Sequence, residues 1–241
     1  MGEVHVLHWG SGRLRVTPWR ADPAIAQLTP SADQIPSPEA VGQCLEHLAR
    51  EGYRCALTSA LTHDEQRPFL EAGFTVYERL HLLRHDLRHV PPVKPPAGVR
   101  LRRGRRRDRD AVLAVDGAAF SPFWRFDQAG LDDARGATPT SRFRVADADG
   151  VVGYAITGRA GSIGYLQRLA VRPDHQGLGV GTALTIDALN WSRRHGARSV
   201  LVNTQESNER ALALYVHLGF VHEPHGLAVL EHPLDGNGNR A

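Results

Sequence analysis

Leu169-Ala170-Val171-Arg172-Pro173-Asp174-His175-Gln176-Gly177-Leu178-Gly179-Val180-Gly181-Thr182 decides how this chain is read. An apolar run ending at Val171 predicts a strand, Arg172–Leu178 a loop, and about Gly179 to His195 a long helix that stops at Gly196. Glycines at 177, 179 and 181 let the backbone approach a ligand closely and let several N–H groups point one way. At a helix N-terminus those free donors and the positive end of the dipole favour a phosphate or pyrophosphate. No Gly-Lys-Ser/Thr follows the loop, which argues against a nucleotide triphosphatase.

Outward from this stretch the second half alternates strand and helix. Strands are predicted at Val99–Arg102, Arg142–Ala146, Val151–Gly158, Ser162–Val171 and Ser199–Thr204. A helix starts at Asp108 or Asp110 and reaches about Ala119; another runs from Asn208 to Gly219, with a final strand or hairpin from Phe220. The expectation is an α/β domain, a mixed sheet with helices packed on it.

His89–Gly98 holds four prolines, each fixing φ and removing a backbone donor, and reads as a stiff linker. Before it lies a shorter copy of the same order. A hairpin is expected around Gly10-Ser11-Gly12, helices at Glu39–Glu51 and Asp64–Ala72, and a strand at Arg54–Thr58. Pro68-Phe69-Leu70-Glu71-Ala72-Gly73-Phe74 aligns without a gap on Leu214-Tyr215-Val216-His217-Leu218-Gly219-Phe220, and the following runs close at Asp86-Leu87 and Pro233-Leu234. This predicts an internal duplication; the alternative is that helix–Gly–Phe–strand is a common corner. The expected domains are 1–88, a linker at 89–98, 99–235, and a flexible tail at 236–241.

The chain has 241 residues, enough for one large or two small domains, and its 41% hydrophobic content supports a buried core rather than disorder. The net charge of +3 is carried almost wholly by arginine, Lys94 being the only lysine, and by itself names no partner. Cys44 and Cys55 have no metal-ligand spacing and read as small buried thiols of a reducing compartment. Met1–Trp9 lacks the pattern of a secretion signal, and no stretch approaches the ~20 apolar residues of a membrane span. A soluble cytoplasmic protein without a membrane partner is expected.

Gln176-Gly177-Leu178-Gly179-Val180-Gly181 resembles the cofactor loop of the GNAT superfamily of N-acetyltransferases, Gln/Arg-x-x-Gly-x-Gly/Ala. Val171-Arg172-Pro173 upstream and Asn208, Tyr215 and Gly219-Phe220 downstream fit the same pattern at family-like spacing, so the resemblance covers Val99 to Leu234. It implies a GNAT-type mixed sheet in the second half, preceded by a truncated, degenerate GNAT-like half. It also implies acetyl-coenzyme A as cosubstrate, with no metal. The backbone of Leu169, Ala170 and Val171 would pair with the pantetheine arm like an added strand, and the N–H groups of Gly177, Leu178, Gly179, Val180, Gly181 and Thr182 would hold the pyrophosphate. Asn208 would hydrogen-bond the cofactor arm, or serve as a plain helix cap, or both. Tyr215 would protonate the leaving thiolate, its phenol staying protonated at neutral pH with a pKa near ~10; the competing reading is a core aromatic. A backbone N–H near Leu169 would be the oxyanion donor. The first half has Phe69 where the second has Tyr215 and no glycine loop before its helix, so it is expected to be structural.

The acceptor is expected to be a primary amine, on a small molecule or a peptide N-terminus. The two-half order is similar to the mycothiol synthases, and Ser207-Asn208 with Leu-Tyr and Gly-Phe is similar to ribosomal-protein alanine acetyltransferases; neither likeness fixes the acceptor. Many relatives carry a glutamate where this chain has Tyr165 or Asn203, which leaves the general base unassigned and keeps a non-catalytic acyl-coenzyme A-binding regulator as the rival reading. The arginines between Arg100 and Arg109 lack the interleaved aromatics of a nucleic-acid reader, so no nucleic-acid partner is expected. His222 and His225 lack a third ligand at usable spacing. Phe120, Phe123, Trp124 and Phe126 are expected to line an acceptor pocket or to tuck under the sheet.

Overall fold

A computed structural model describes residues 5–9, 12–19, 22–31 and 34–234. The expected tail at 236–241 and the turn residues Gly10 and Ser11 lie outside the described residues. The chain divides into two compact units, residues 1–81 with 224–241, and Leu82–Glu223.

In the first unit β1 (His5–Trp9), β2 (Gly12–Trp19) and β3 (Asp22–Pro30) run antiparallel in sequence. β3 pairs in parallel with β4 (Cys55–Thr58), and α1 (Pro38–Arg50) supplies the crossover that parallel neighbours require. After α2 (His63–Glu71) the chain enters β5 (Thr75–His85). β12 (Leu227–Pro233), from the far end of the chain, lies between β4 and β5, antiparallel to both. α1 buries Val41, Cys44, Leu45 and Leu48, one face at helical spacing, against Leu14, Val16, Leu28 and Phe69. Cys44 is fully enclosed there, and burial pushes its thiol pKa up to about 12; Cys55 is half-buried. β3 is absent from the sequence expectation because Pro23 and Pro30 bracket it and only Ala26 and Leu28 are buried.

The second unit holds β6 (Arg100–Arg103), α3 (Arg109–Ala119), α4 (Gln128–Gly136), β7 (Thr140–Asp147), β8 (Val151–Ala160), β9 (Ile163–Val171), α5 (Val180–Arg194), β10 (Ser199–Gln205), α6 (Glu209–His217) and β11 (Val221–His222). Its sheet order is β10-β9-β8-β7-β6; β9 and β10 are parallel and the other pairs antiparallel. This is the expected mixed sheet flanked by helices. α5 covers one face with Ala183, Leu184, Ala188 and Leu189. α3 and α4 cover the other with Val112, Val115 and Leu131, against Val145, Tyr154 and Ile156. The first eight residues of β8 are accordingly buried without alternation, as in a strand covered on both faces. α4 escapes the sequence reading because it sends only Leu131, with the small Ala134 beside it, into the core.

The units cut the chain at 81/82 and 223/224 rather than across the prolines, as the 1–88 and 99–235 boundaries expected. Burial is the reason: Ala228 and Leu230 of β12 fill the first core, while Leu83 and Leu87 fill the second. The proline stretch forms neither helix nor strand; Val90 and Val93 pack against the second core, and Asn190 donates to the Pro91 carbonyl at 3.2 Å.

Candidate functional site

β9 and β10 pair only where Ile163–Tyr165 meets Ser199–Leu201. Beyond that point β9 continues to Val171 bonded to β8 alone, so alternate N–H and C=O groups of Leu166–Val171 face away from β8 toward an open side. A bulge sets Gln167 out of register: Arg168 opposes Ile156 and Leu166 opposes Thr157. Leu169, Ala170 and Val171 end this strand, and a short 3-10 turn, Pro173–His175, leads into the glycine loop.

The glycines act differently. Gly177 and Gly179 have φ of +77° and +85°, which an L side chain resists, and Gly179 is the N-cap of α5. Gly181 is helical; a Cβ there would meet Leu214 at 3.4 Å and Val171 at 3.7 Å, ordinary contact distances, so this position of α5 faces α6 and the end of β9. No side chain caps α5, and its first turn holds no acidic residue, so the N–H groups at the start of the helix keep their capacity for an anion. Gln176 braces the loop, donating Nε2 to the Val171 carbonyl at 2.9 Å and accepting from Arg210 of α6. Leu178 and the half-buried Thr182 flank the turn, while Val180 anchors it in the core.

Asn208 is the N-cap of α6; its Oδ1 accepts from Ala211 N at 3.1 Å. The cap uses the side-chain oxygen and leaves the amide N–H donors without a hydrogen bond among the described residues. Tyr215 is 4% exposed, belongs to the core beside Leu218 and Phe220, and its ring centroid lies 5.5 Å from that of Phe220. Burial raises its phenol pKa above the ordinary tyrosine value, which keeps the proton in place at any physiological pH.

The sequence reading missed the polar cluster at the bulge. Arg168 donates Nε and Nη2 to the two oxygens of Asp116, each at 2.8 Å, and Nη2 also to the Trp124 carbonyl at 2.8 Å. Asp116 is fully buried and also accepts from the Tyr154 hydroxyl at 2.5 Å and from Phe126 N at 2.7 Å. Burial raises the Tyr154 pKa, with the Asp116 charge acting the same way. Phe120 and Phe126 clasp the Arg168 guanidinium, 3.4 and 3.9 Å from the ring centroids, so these two aromatics tuck under the sheet. The available signal was an aspartate on the same face of α3 as Val112 and Val115. With all its lone pairs engaged, Asp116 is no general base. At the two positions where relatives place a glutamate, Tyr165 is half-buried and Asn203 exposed. Gln167 donates to Thr138 Oγ1 at 3.4 Å while its buried Oε1 has no partner among the described residues, an acceptor left for a ligand or water.

Two arginines of the run form ion pairs: Arg102 with Asp108 and Asp147, and Arg109 with Asp132. Among the described residues no group of three or more His, Cys, Asp or Glu is placed to hold a metal; His222 lies on β11 and His225 stacks on His63. No helix among them is long and apolar enough to cross a membrane.

The second unit thus combines a mixed sheet, two parallel strands that part after three paired residues, and a glycine-rich helix start without a side-chain cap among the described residues. Residues 110–220 match the acetyltransferase (GNAT) family, and the chain carries a GNAT acetyltransferase domain. It is 35% identical over 153 residues to a mycothiol acetyltransferase of Actinosynnema mirum, covering 58% of this chain and 51% of that protein. With a mycothiol acetyltransferase of Streptomyces coelicolor the identity is 32% over 195 residues, covering 76% and 62%. The chain thus spans about half to three-fifths of the length of these relatives. Among solved structures a tandem GNAT protein from the clavulanic acid biosynthesis pathway is similar in fold, with a TM-score of 0.68 over 96% of this chain and 82% of that one, at 17% identity.

Proposed function

We propose that the protein is an N-acetyltransferase that moves the acetyl group of acetyl-coenzyme A to a primary amine of a small molecule. The observation that carries this reading is the uncapped N-terminus of α5, at the end of a strand whose outer edge is open. Gly177–Thr182 would hold the pyrophosphate, Leu169–Val171 would pair with the pantetheine amides, and the free amide donors of Asn208 would reach the same arm. The amine attacks the thioester carbonyl, and the oxyanion takes a hydrogen bond from a β9 N–H. The carbon–sulfur bond then breaks, the departing thiolate takes the proton of Tyr215, and the proton shed by the acylated nitrogen returns to the phenolate through water. A desolvated site that raises the phenol pKa raises that of the thiol as well, so the proton transfer stays within reach.

The names of the relatives make a mycothiol-related amine the first acceptor to assay, with peptide N-termini as the second. The first half, with Phe69 and a capped helix start, is proposed to be a degenerate copy without chemistry. A carboxylate-free Tyr165 and Asn203 favour one rival, an acyl-coenzyme A-binding regulator without turnover. Calorimetry with coenzyme A, followed by thiol release from acetyl-coenzyme A over an amine panel, tests both steps. Absence of coenzyme A binding sinks the whole reading. Tight binding without thiol release for any amine favours the regulator.

A further inference from the structure

A cavity of about 350 Å³ opens on the second unit where β7 outruns β6. β6 pairs with Arg144–Asp147, and Gly104 N reaches the Phe143 carbonyl; toward Thr140 the outer edge of β7 has no registered partner among the described residues. Arg103, Arg135, Arg142, Phe143, Arg144 and Trp191 line the cavity. Arg142 and Arg144, two apart on a strand, emerge on one face, toward α5. There Asp187 meets both, at 3.2 Å from Arg142 Nη2 and 3.2 Å from Arg144 Nε. Their side chains are only 20%, 18% and 10% exposed. These contacts are long and divided, whereas the forked Arg168–Asp116 pair closes at 2.8 Å on both arms.

Charge is unbalanced here. Arg103, Arg142 and Arg144 all line the cavity, and Asp187, held by the last two, is the one carboxylate paired with any of them among the described residues, a surplus of two positive charges; Arg135 leans on Asp132 at 3.5 Å and over the Phe143 ring. Burial depresses the Arg142 pKa against the pull of Asp187, and Arg144 and Arg194 add repulsion. Desolvated like charges are costly unless an anion joins them. The place is not the glycine loop: Trp191 lies eleven residues along α5 from Val180, roughly 16 Å by helical rise.

We propose that this cavity is a second, separate anion site that takes the phosphate of a small phosphorylated molecule between Arg103, Arg142 and Arg144, with Trp191 against the body of the ligand. A phosphate monoester carries about two negative charges at neutral pH, which matches the surplus. The volume suits a ligand at the small end of the usual pocket range.

The test is calorimetric titration of the full chain with glycerol 3-phosphate and with inorganic phosphate, at high constant sodium chloride, with and without coenzyme A. Saturable binding that coenzyme A leaves unchanged is expected, at least about tenfold weaker in R142Q/R144Q and measurably weaker in R103Q, whose exposed site does not threaten folding. Asp187→Asn, which frees both guanidiniums from their shared carboxylate, is expected to bind more tightly. Stronger uptake of glycerol 3-phosphate than of inorganic phosphate assigns the ligand body to the cavity. No saturable uptake, uptake abolished by coenzyme A, or uptake undiminished in R142Q/R144Q overturns the proposal.

Discussion

The corners at Pro68–Phe74 and Leu214–Phe220 are built alike. In each, a helix ends in a glycine of φ near +90°, Gly73 or Gly219. The next residue's N–H, that of Phe74 or Phe220, bonds back at 3.0 Å to the carbonyl of Phe69 or Tyr215. A histidine ring, His232 or His85, lies beside the glycine and packs at an angle against the phenylalanine, with centroids 5.3 and 5.1 Å apart. What differs is one hydroxyl and one helix start. Phe69 replaces Tyr215, and α1 begins where α5 could not: Ser37 caps it with a bond to Ala40 N, Pro38 removes a donor, and Glu39 adds a negative charge. The shared corner is therefore architecture, and the proposed chemistry rests on the parts not shared.

Four experiments press on that contrast. Phe69→Ala carries the largest expected effect, about 3–5 kcal/mol of stability lost from the first core, read by denaturant unfolding, because a wholly buried ring leaves a cavity. Gly179→Asp gives α5 a negative start like that of α1, and coenzyme A affinity is expected to fall about a hundredfold, with circular dichroism reading whether the helix tolerates a side chain at this φ. Intact affinity there would separate the loop from anion binding. Tyr215→Phe makes the second corner a copy of the first; kcat is expected to fall at least about tenfold with coenzyme A affinity held within about twofold. An unchanged kcat removes the phenol from the mechanism. The smallest effect is expected at His85. It is buried, its Nδ1 accepts from Leu87 N at 2.9 Å, and burial lowers its pKa below 6.5. The unfolded chain then binds the proton first. This stability is complete above pH 6.5 and drains as pH falls toward the depressed value. Urea melts at neutral and mildly acidic pH should show a shallower pH slope in His85→Asn than in the parent. The corresponding His232 has no such bond on its buried Nδ1, since the Leu234 N–H goes to the Arg54 carbonyl instead.

The glycine loop, α5, α6 and both corners were legible in the chain because each is fixed within a dozen residues. A cap, a periodic apolar face, a glycine of positive φ and a bond from one turn to the next are local choices that residue identity makes directly. Gly181 was legible as part of the motif but not in its surroundings, since the atoms it faces belong to Leu214 and Val171. β3 and α4 were hidden because each sends only one or two apolar side chains inward.

By itself the sequence determined the alternation of strand and helix, the loop that frees main-chain amides at 177–182, and the contrast between Tyr215 and Phe69. Only the tertiary structure decided that β12 completes the first sheet, that Asp116 is spent on Arg168, and that Arg142 and Arg144 converge on Asp187 beside the cavity that Arg103 also lines. These are pairings between residues tens to more than a hundred positions apart. Which distant groups meet is set by how apolar faces are buried together, and no single segment carries that information.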